Sequence, residues 1–237
     1  MSFYITFDNG KTDNSFGMYL AERPSIPITS NNTDYIQIPG SDGYLTRKDG
    51  FQNRSIQLKY QFNDKSNLIG KVRPFIAQLR NSKSFFFSDD PSVEYRMVDV
   101  SFDNIDREVR ILGTLTVNVV LEPFCYYRNI ATIDGKVTSI ITNIGDYLSR
   151  PHMKITCNGT VTNQQIVVNN LIVKFKSITD FIEIDSQVRR CYKNSYSANM
   201  GDKVEANDYP IFNVGVNNIQ VSSGITHVYI NPRWRCF

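Results

Sequence analysis

The chain has 237 residues, of which 41% are hydrophobic and 12% aromatic, so it is long and apolar enough to bury a sizeable core. This composition excludes a disordered chain, and a formal net charge of +3 is too small to indicate nucleic-acid binding by charge alone. No apolar run has the length of a membrane span. The first ten residues lack the basic and apolar segments of a signal peptide, so we expect synthesis in a cytoplasm.

The first 62 residues predict short strands joined by turns. Phe3–Phe7 alternates apolar and polar side chains and ends at the turn pair Asn9-Gly10. Residues 38–43 contain two glycines around an aspartate and predict a tight turn with positive φ angles rather than a phosphate loop. The remaining expectations are a strand at Phe16–Ala21, an extended connection through Pro24 and Pro27, a polar loop at Ser30–Asp34, a short strand at Tyr35–Ile38 and a half-buried strand at Ile56–Phe62.

Residues 66–81 predict the one α-helix of the chain. Ser66 can cap its N-terminus, and Pro74 removes a backbone hydrogen bond, so we expect a bend or a late start there. The apolar side chains recur at helical spacing, so they form a stripe that needs a sheet to cover it. They are Leu68, Ile69, Val72, Phe75, Ile76 and Leu79.

Alternating strands follow the helix and supply such a sheet. Ser84–Ser88 predicts a strand that ends in a turn at Asp89–Pro91, and Tyr95–Phe102 and Val109–Leu121 predict two more. Glu122–Phe124 is expected to break the pattern. The segment after it is polar, which predicts a boundary between domains 1–130 and 131–237.

The second half shows no helical pattern, and its many short strands with regular turns predict a β-sandwich. The fold class is therefore mainly β, with one helix in the first domain. The expected strands are Val137–Ile141, His152–Cys157, Ile166–Val168, Leu171–Phe175, Phe181–Asp185, Arg189–Tyr192, Ile219–Val221 and His227–Asn231.

Two carboxylate pairs are candidates for acid–base chemistry, and each has a plainer interpretation. Asp89 and Asp90 precede Pro91, which is typical of a turn cap rather than of two carboxylates facing each other across a sugar. Glu183 and Asp185 lie two residues apart on a strand and share a face. A solvated strand surface is the simpler interpretation of that pair.

Histidines and cysteines do not indicate a reactive site. His152 and His227 have no serine, cysteine or aspartate partner at a recognisable spacing and are interpreted as structural. We therefore predict no catalytic, cofactor-binding or metal-binding residues. The four cysteines are far apart and indicate buried free thiols, with a disulfide left open, rather than a zinc site: Cys125, Cys157, Cys191 and Cys236.

Basic and aromatic side chains are mixed in one part of the second half, at Arg189, Arg190, Tyr192, Lys193 and Tyr196. Such a mixture fits a nucleic-acid or sugar patch, or simply a surface strand of a sandwich. Near the C-terminus, Trp234 lies between Arg233 and Arg235. We expect it to pack under an arginine stem rather than bind a ligand.

Several short motifs resemble the distal tail protein of long-tailed, non-contractile bacteriophages. In the first domain the helix is followed by FFFSDDPSVEYR at 85–96 and LTVNVVLEPFCYY at 115–127. The matches run from end to end in the same order and spacing. The others are IPGSDG at 38–43, RPHMKI at 150–155, IDSQVRRCY at 184–192, PIF at 210–212 followed by Gly215 and NNI at 217–219, and INPRWR at 230–235.

The resemblance implies a non-enzymatic structural protein of the virion. It implies a ring of six copies formed by the N-terminal domain, and a galectin-like C-terminal β-sandwich that projects outward. The implied partners are the tail tube protein, the tail-associated lysin or tail-tip protein and possibly a receptor-binding protein. DNA would pass only through the ring channel, and no membrane or cofactor is involved.

An alternative interpretation is a carbohydrate-binding β-sandwich module that recognises bacterial cell-wall sugars. The chain has no room for the inserted carbohydrate-binding module of some relatives. For the ring, exposed strand edges within residues 1–62 are the expected contact surface, because unpaired backbone groups can extend a neighbour's sheet.

Overall fold

The computed structural model describes residues 3–40, 42–63, 68–109 and 112–237, and they form two compact units. The first unit is Met1–Arg128 with Phe237, and the second is Asn129–Cys236. Strands dominate both units and the described residues contain one α-helix, so the predicted mainly β class is confirmed. The first unit contains β1 Ile5–Phe7, β2 Met18–Leu20, β3 Asn31–Gln37, β4 Tyr44–Phe51, β5 Arg54–Asn63, α1 Leu68–Asn81, β6 Ser84–Phe87, β7 Asp90–Val109 and β8 Leu112–Tyr127.

The main sheet of the first unit is antiparallel and has the strand order β1–β6–β7–β8–β5–β2. The predicted alternation in β5 and β8 is confirmed, because every second side chain is buried along β5 and along β8 as far as Leu121. In the paired register Ile56 faces Val119 and Leu58 faces Val117, and all four side chains are buried. These residues form one apolar face of the sheet.

Helix α1 packs on that apolar face. Val72, Phe75 and Leu79 are fully buried, and the Phe75 ring contacts the rings of Tyr60, at 4.8 Å between centroids, and Phe7, at 6.2 Å. Burying each of the three side chains contributes about 1.5–3 kcal/mol. The helix runs unbroken through Pro74 and starts before it, so the expected late start is not found. Ser66, the expected cap, lies outside the described residues.

Strands β3 and β4 form a separate two-stranded hairpin. The prediction of a polar loop at Ser30–Asp34 is wrong, and β4 was not predicted at all. Almost every side chain of the hairpin is exposed, so its sequence lacks the buried-and-exposed alternation that identifies a strand. Gly40 and Gly43 have φ angles of 80° and 86°, which confirms the predicted positive-φ turn at its tip.

The expected break at Glu122–Phe124 is confirmed in the burial pattern, which stops alternating after Leu121, although β8 itself continues to Tyr127. Pro123 has no N–H to donate to a neighbouring strand. The register between β7 and β8 shifts here, from Met97 opposite Leu121 to Tyr95 opposite Cys125. This irregularity accommodates the proline inside the strand.

The second unit is built on two long antiparallel strands, β11 His152–Val168 and β12 Leu171–Asp185. The sequence predicted four short strands here, because Asn158-Gly159 has the composition of a turn. Gly159 instead takes a φ of 69° inside a register shift, and β11 continues past it. The other strands are β9 Ile133–Asp134, β10 Ile140–Asn143, β13 Arg190–Lys193, β14 Ser195–Asn199, β15 Val204–Glu205, β16 Gly215–Val221, β17 His227–Asn231 and β18 Arg235–Cys236.

One end of β11 pairs with β17 and the other end with β16, so the sheet curls around a core. Met153 and Ile155 on β11, and Ile182 and Ile184 on β12, are buried in that core. Because side chains alternate along a strand, the residues between them point to the opposite side of the sheet. That opposite side carries most of the polar residues considered next.

Candidate functional site

The two adjacent aspartates make surface contacts at a turn. Asp89 lies in the turn between β6 and β7 and forms an exposed ion pair with Arg23. Asp90 begins β7 and accepts a hydrogen bond from the Ser92 hydroxyl. These contacts agree with the turn interpretation of the pair.

Glu183 and Asp185 lie in different surroundings, and the solvated-face interpretation is wrong for Asp185. Asp185 as a whole is 1% exposed, and its carboxylate accepts two hydrogen bonds from Arg233, at 2.7 and 2.9 Å. Burial alone raises the pKa of Asp185, but the hydrogen bonds and positive charge of Arg233 outweigh it and lower the pKa below its usual value. Tyr196 donates a further hydrogen bond to the same carboxylate at 3.1 Å. Glu183 is partly exposed and lies beside His152.

Both histidines have carboxylate partners that the sequence did not reveal. His152 Nε2 lies 3.0 Å from Glu183 Oε2 and 3.0 Å from the Tyr192 hydroxyl. His227 Nδ1 lies 2.6 Å from Asp134 Oδ2. Each pair joins residues that are far apart in the chain and adjacent across strands, so only the sheet register brings them together.

The cysteines follow the sequence expectation only in part. Cys157 and Cys191 are free and buried, as expected. Cys125 and Cys236 are disulfide-bonded, so the expectation of free thiols is wrong for them. Within the described ranges, no group of three or more histidine, cysteine or acidic residues could hold a metal ion. Among the residues that the structure describes, no helix has the length and apolar character needed to cross a membrane.

In the basic and aromatic stretch, Arg189 and Lys193 lie beside aspartates, whereas Arg190 lies near an aromatic ring. Arg189 pairs with Asp208 at 2.7 Å, and Lys193 lies 3.3 Å from the Asp180 carboxylate. Arg190 is exposed and points its guanidinium toward the Tyr196 ring, 6.0 Å from the centroid. Trp234 is buried, and its ring lies 5.6 Å from that of Phe212, while its packing under an arginine stem stays a prediction.

The hairpin of the first unit carries four exposed apolar side chains close together. Tyr35 and Tyr44 are 69% and 63% exposed on one face, where their rings meet at 6.3 Å. Ile36 and Leu45 lie directly opposite each other on the other face and are also about half exposed. Phe51 anchors the base of the hairpin against the ring of Phe124 at 5.0 Å. The hairpin therefore has an anchored base and two apolar faces that this chain leaves uncovered.

Comparison with solved structures shows which fold these units have. The chain is similar to the crystal structure of the Dit protein of phage SPP1, described as a paradigm of the hub adsorption apparatus in phages that infect Gram-positive bacteria. The TM-score is 0.64 at 15% sequence identity, over 98% of this chain and 99% of that chain. A chain of the phage p2 baseplate in its activated conformation matches at a TM-score of 0.51 and 10% identity, over 97% and 96%. The predicted resemblance is thus confirmed at the level of the fold.

Comparisons of the sequence with protein-family models and with curated proteins give no match.

Proposed function

We propose that this chain is a distal tail hub protein, which joins the tail tube of a long-tailed, non-contractile bacteriophage to its adsorption apparatus. The likeness to a phage hub protein over nearly the whole of both chains supports this role. The end-to-end order of short sequence motifs supports it independently of the fold. In this role the chain acts through its shape and its surfaces, and no side chain makes or breaks a bond.

The observation that carries the proposal is the hairpin β3–β4. A two-stranded hairpin alone is marginally stable in water, and this one exposes apolar side chains on both faces. A surface of this kind fits a partner that covers it. We assign a second copy of the chain as that partner, because a contact between two different surfaces of identical copies closes into a ring when it repeats by rotation.

In the proposed assembly, domain 1–130 forms a ring of six copies and domain 131–237 is a galectin-like β-sandwich that projects outward. One face of the ring binds the tail tube protein. The opposite face binds the tail-associated lysin or tail-tip protein, and the outward domains offer a site for a receptor-binding protein. DNA passes through the central channel. The protein is made in the bacterial host cytoplasm and ends in the virion, at the tip of the tail.

The alternative, a carbohydrate-binding module that acts alone, has weaker support. A module of that kind explains neither the apolar hairpin nor the likeness of both units to a hub protein. A hub protein could also carry a sugar-binding site, and a group of polar and aromatic side chains on the second unit is considered for that role below.

A paired charge substitution in the hairpin tests the proposal. Ile36→Lys together with Leu45→Glu places opposite charges directly across the two strands, which preserves the hairpin while removing its apolar face. We expect wild-type protein to associate with rising concentration in sedimentation experiments. The double variant should weaken this association by about tenfold or more, because each 1.4 kcal/mol lost at an interface is a factor of ten.

A matched control carries the same charges on apolar positions of the second unit. Ile172→Lys with Val137→Glu replaces residues that are 47% and 80% exposed, and it should associate as the wild type does. Equal association of the hairpin variant and the wild type, with both folded by circular dichroism, would contradict the proposal.

A further inference from the structure

The second unit has a patch in which one exposed aromatic ring lies beside a polar pair. We call the side chains of His152, Glu183, Tyr192 and Tyr196 the polar–aromatic patch. They lie on the side of β11 and β12 that faces away from the apolar core, next to β13 and β14. Tyr192 and Tyr196, the two aromatic residues of the sequence stretch that mixes bases and aromatics, belong to this patch.

The Tyr196 ring is exposed and yet fixed in place. It is 47% exposed, its hydroxyl donates to Asp185 at 3.1 Å, and its ring meets that of Tyr192 edge-on at 4.6 Å. Asp185 is in turn fixed by the two hydrogen bonds of Arg233 and by the backbone N–H of Gln187 at 3.0 Å. An aromatic ring that is already ordered loses little conformational entropy when a ligand stacks on it.

The polar pair beside the ring can both donate and accept hydrogen bonds. His152 and Glu183 are joined at 3.0 Å, and their side chains are 24% and 14% exposed. The second carboxylate oxygen of Glu183 has no partner among the described residues and is available as an acceptor. Arg190 adds an exposed guanidinium near the Tyr196 ring, with no acidic partner in the described part of the chain.

We propose that the polar–aromatic patch binds a saccharide, with one pyranose ring stacked on Tyr196. The C–H face of a pyranose is apolar and fits the face of an aromatic ring, while its hydroxyls both donate and accept hydrogen bonds. Glu183 accepts from these hydroxyls, and Arg190 donates to them. A few placed polar groups around an aromatic surface are the usual composition of a small-ligand site.

The charges of the patch favour a sugar over a nucleic acid. A nucleic-acid site needs unpaired cations along a track for the phosphates. Here Lys193 lies beside Asp180 and Arg189 beside Asp208, and the Glu183 carboxylate would repel a phosphate. The patch is formed by residues of the second unit and the hairpin by residues of the first, so sugar binding can fail while ring formation stands, and the reverse also holds.

The test uses the full-length chain and four probes, namely tetrasaccharides of N-acetylglucosamine, glucose, galactose and rhamnose. Saturation-transfer NMR identifies which of them bind, and titration calorimetry gives the affinity. We expect at least one to bind, and Tyr196→Ala to weaken binding by about tenfold, the effect of losing one stacked ring. Glu183→Gln should weaken it to a similar extent.

Two control variants carry the same types of substitution at positions outside the patch. Tyr19→Ala removes a tyrosine of similar exposure, 50%, from the first unit, and Glu205→Gln neutralises an exposed glutamate on β15. Both should bind the sugar as the wild type does. The proposal is overturned if none of the four probes binds at about 10 mM, the weak end of measurable affinity, or if Tyr196→Ala binds as tightly as the wild type. Binding of a single-stranded oligonucleotide in place of every sugar would overturn it as well.

Discussion

At the scale of single residues, the first unit contains a carboxyl group that is costly to ionise. Asp13 is fully buried, and its carboxylate accepts hydrogen bonds from the backbone N–H groups of Ile5, at 3.3 Å, and Asn14, at 2.7 Å. Burial raises the pKa of Asp13 to about 7 in spite of these bonds. The neighbouring Tyr60 hydroxyl is buried without a hydrogen-bond partner in the described residues, so burial, and then the charge of Asp13, raise the pKa of Tyr60.

This carboxyl predicts how stability depends on pH. The unfolded chain ionises Asp13 near pH 4, whereas the folded chain keeps it protonated up to about pH 7. The unfolded state therefore loses its proton first, and the free energy of unfolding should fall as pH rises from about 4 to about 7. Each pKa unit is worth about 1.4 kcal/mol, so urea titrations at several pH values can detect the fall.

Asp13→Asn removes the titrating group and should flatten this part of the profile. Asp99→Asn, an exposed aspartate on β7 of the same unit, should leave the profile unchanged. A variant at position 13 with the same pH dependence as the wild type would show that another group is responsible.

The sequence alone could not pair the polar residues of the second unit. His152 and Glu183 are 31 residues apart, and Asp185 and Arg233 are 48 apart. Their contacts depend on the register of β11 with β12 and on the path of the chain after β17. The alternation along β12 correctly placed Glu183 and Asp185 on one face, but it could not show that Arg233 covers Asp185.

At the scale of elements, the sequence predicted best where one face of an element is buried. Helix α1 and strand β5 have that property, and their apolar spacing identified them. Strand β17 was predicted with its observed bounds, His227–Asn231, for the same reason. The hairpin β3–β4 has two exposed faces, so the periodic signal on which sequence analysis depends was missing.

Association between copies of the chain should protect the backbone of the exposed hairpin from hydrogen exchange. Among the described strands, β3 and β4 pair with each other alone, whereas β5 lies between β2 and β8 in the main sheet. Amide hydrogens of β3 and β4 should therefore exchange faster than those of β5 in dilute protein. At concentrations where copies associate, we expect exchange in the hairpin to slow by an amount on the order of tenfold, while exchange in β5 stays constant.

Hydrogen-exchange mass spectrometry at two protein concentrations measures this directly. Exchange in the β10 segment, a short strand of the second unit, provides the internal reference. A hairpin whose exchange is independent of concentration would not be the surface on which copies meet.

At the scale of the whole molecule, the proposed hub role requires copies of this chain to associate with one another. The fold likeness to a phage hub protein covers both units. Nothing in the sequence reports the number of copies, because the side chains that meet another copy look like any exposed apolar residues. The resemblance to distal tail proteins supplied the number six.

Negative-stain electron microscopy of the purified full-length chain, over a range of concentrations, tests the central claim most directly. We expect closed rings with a central channel and six repeated densities around it. Single particles the size of one chain at every concentration, or open filaments in place of rings, would contradict it.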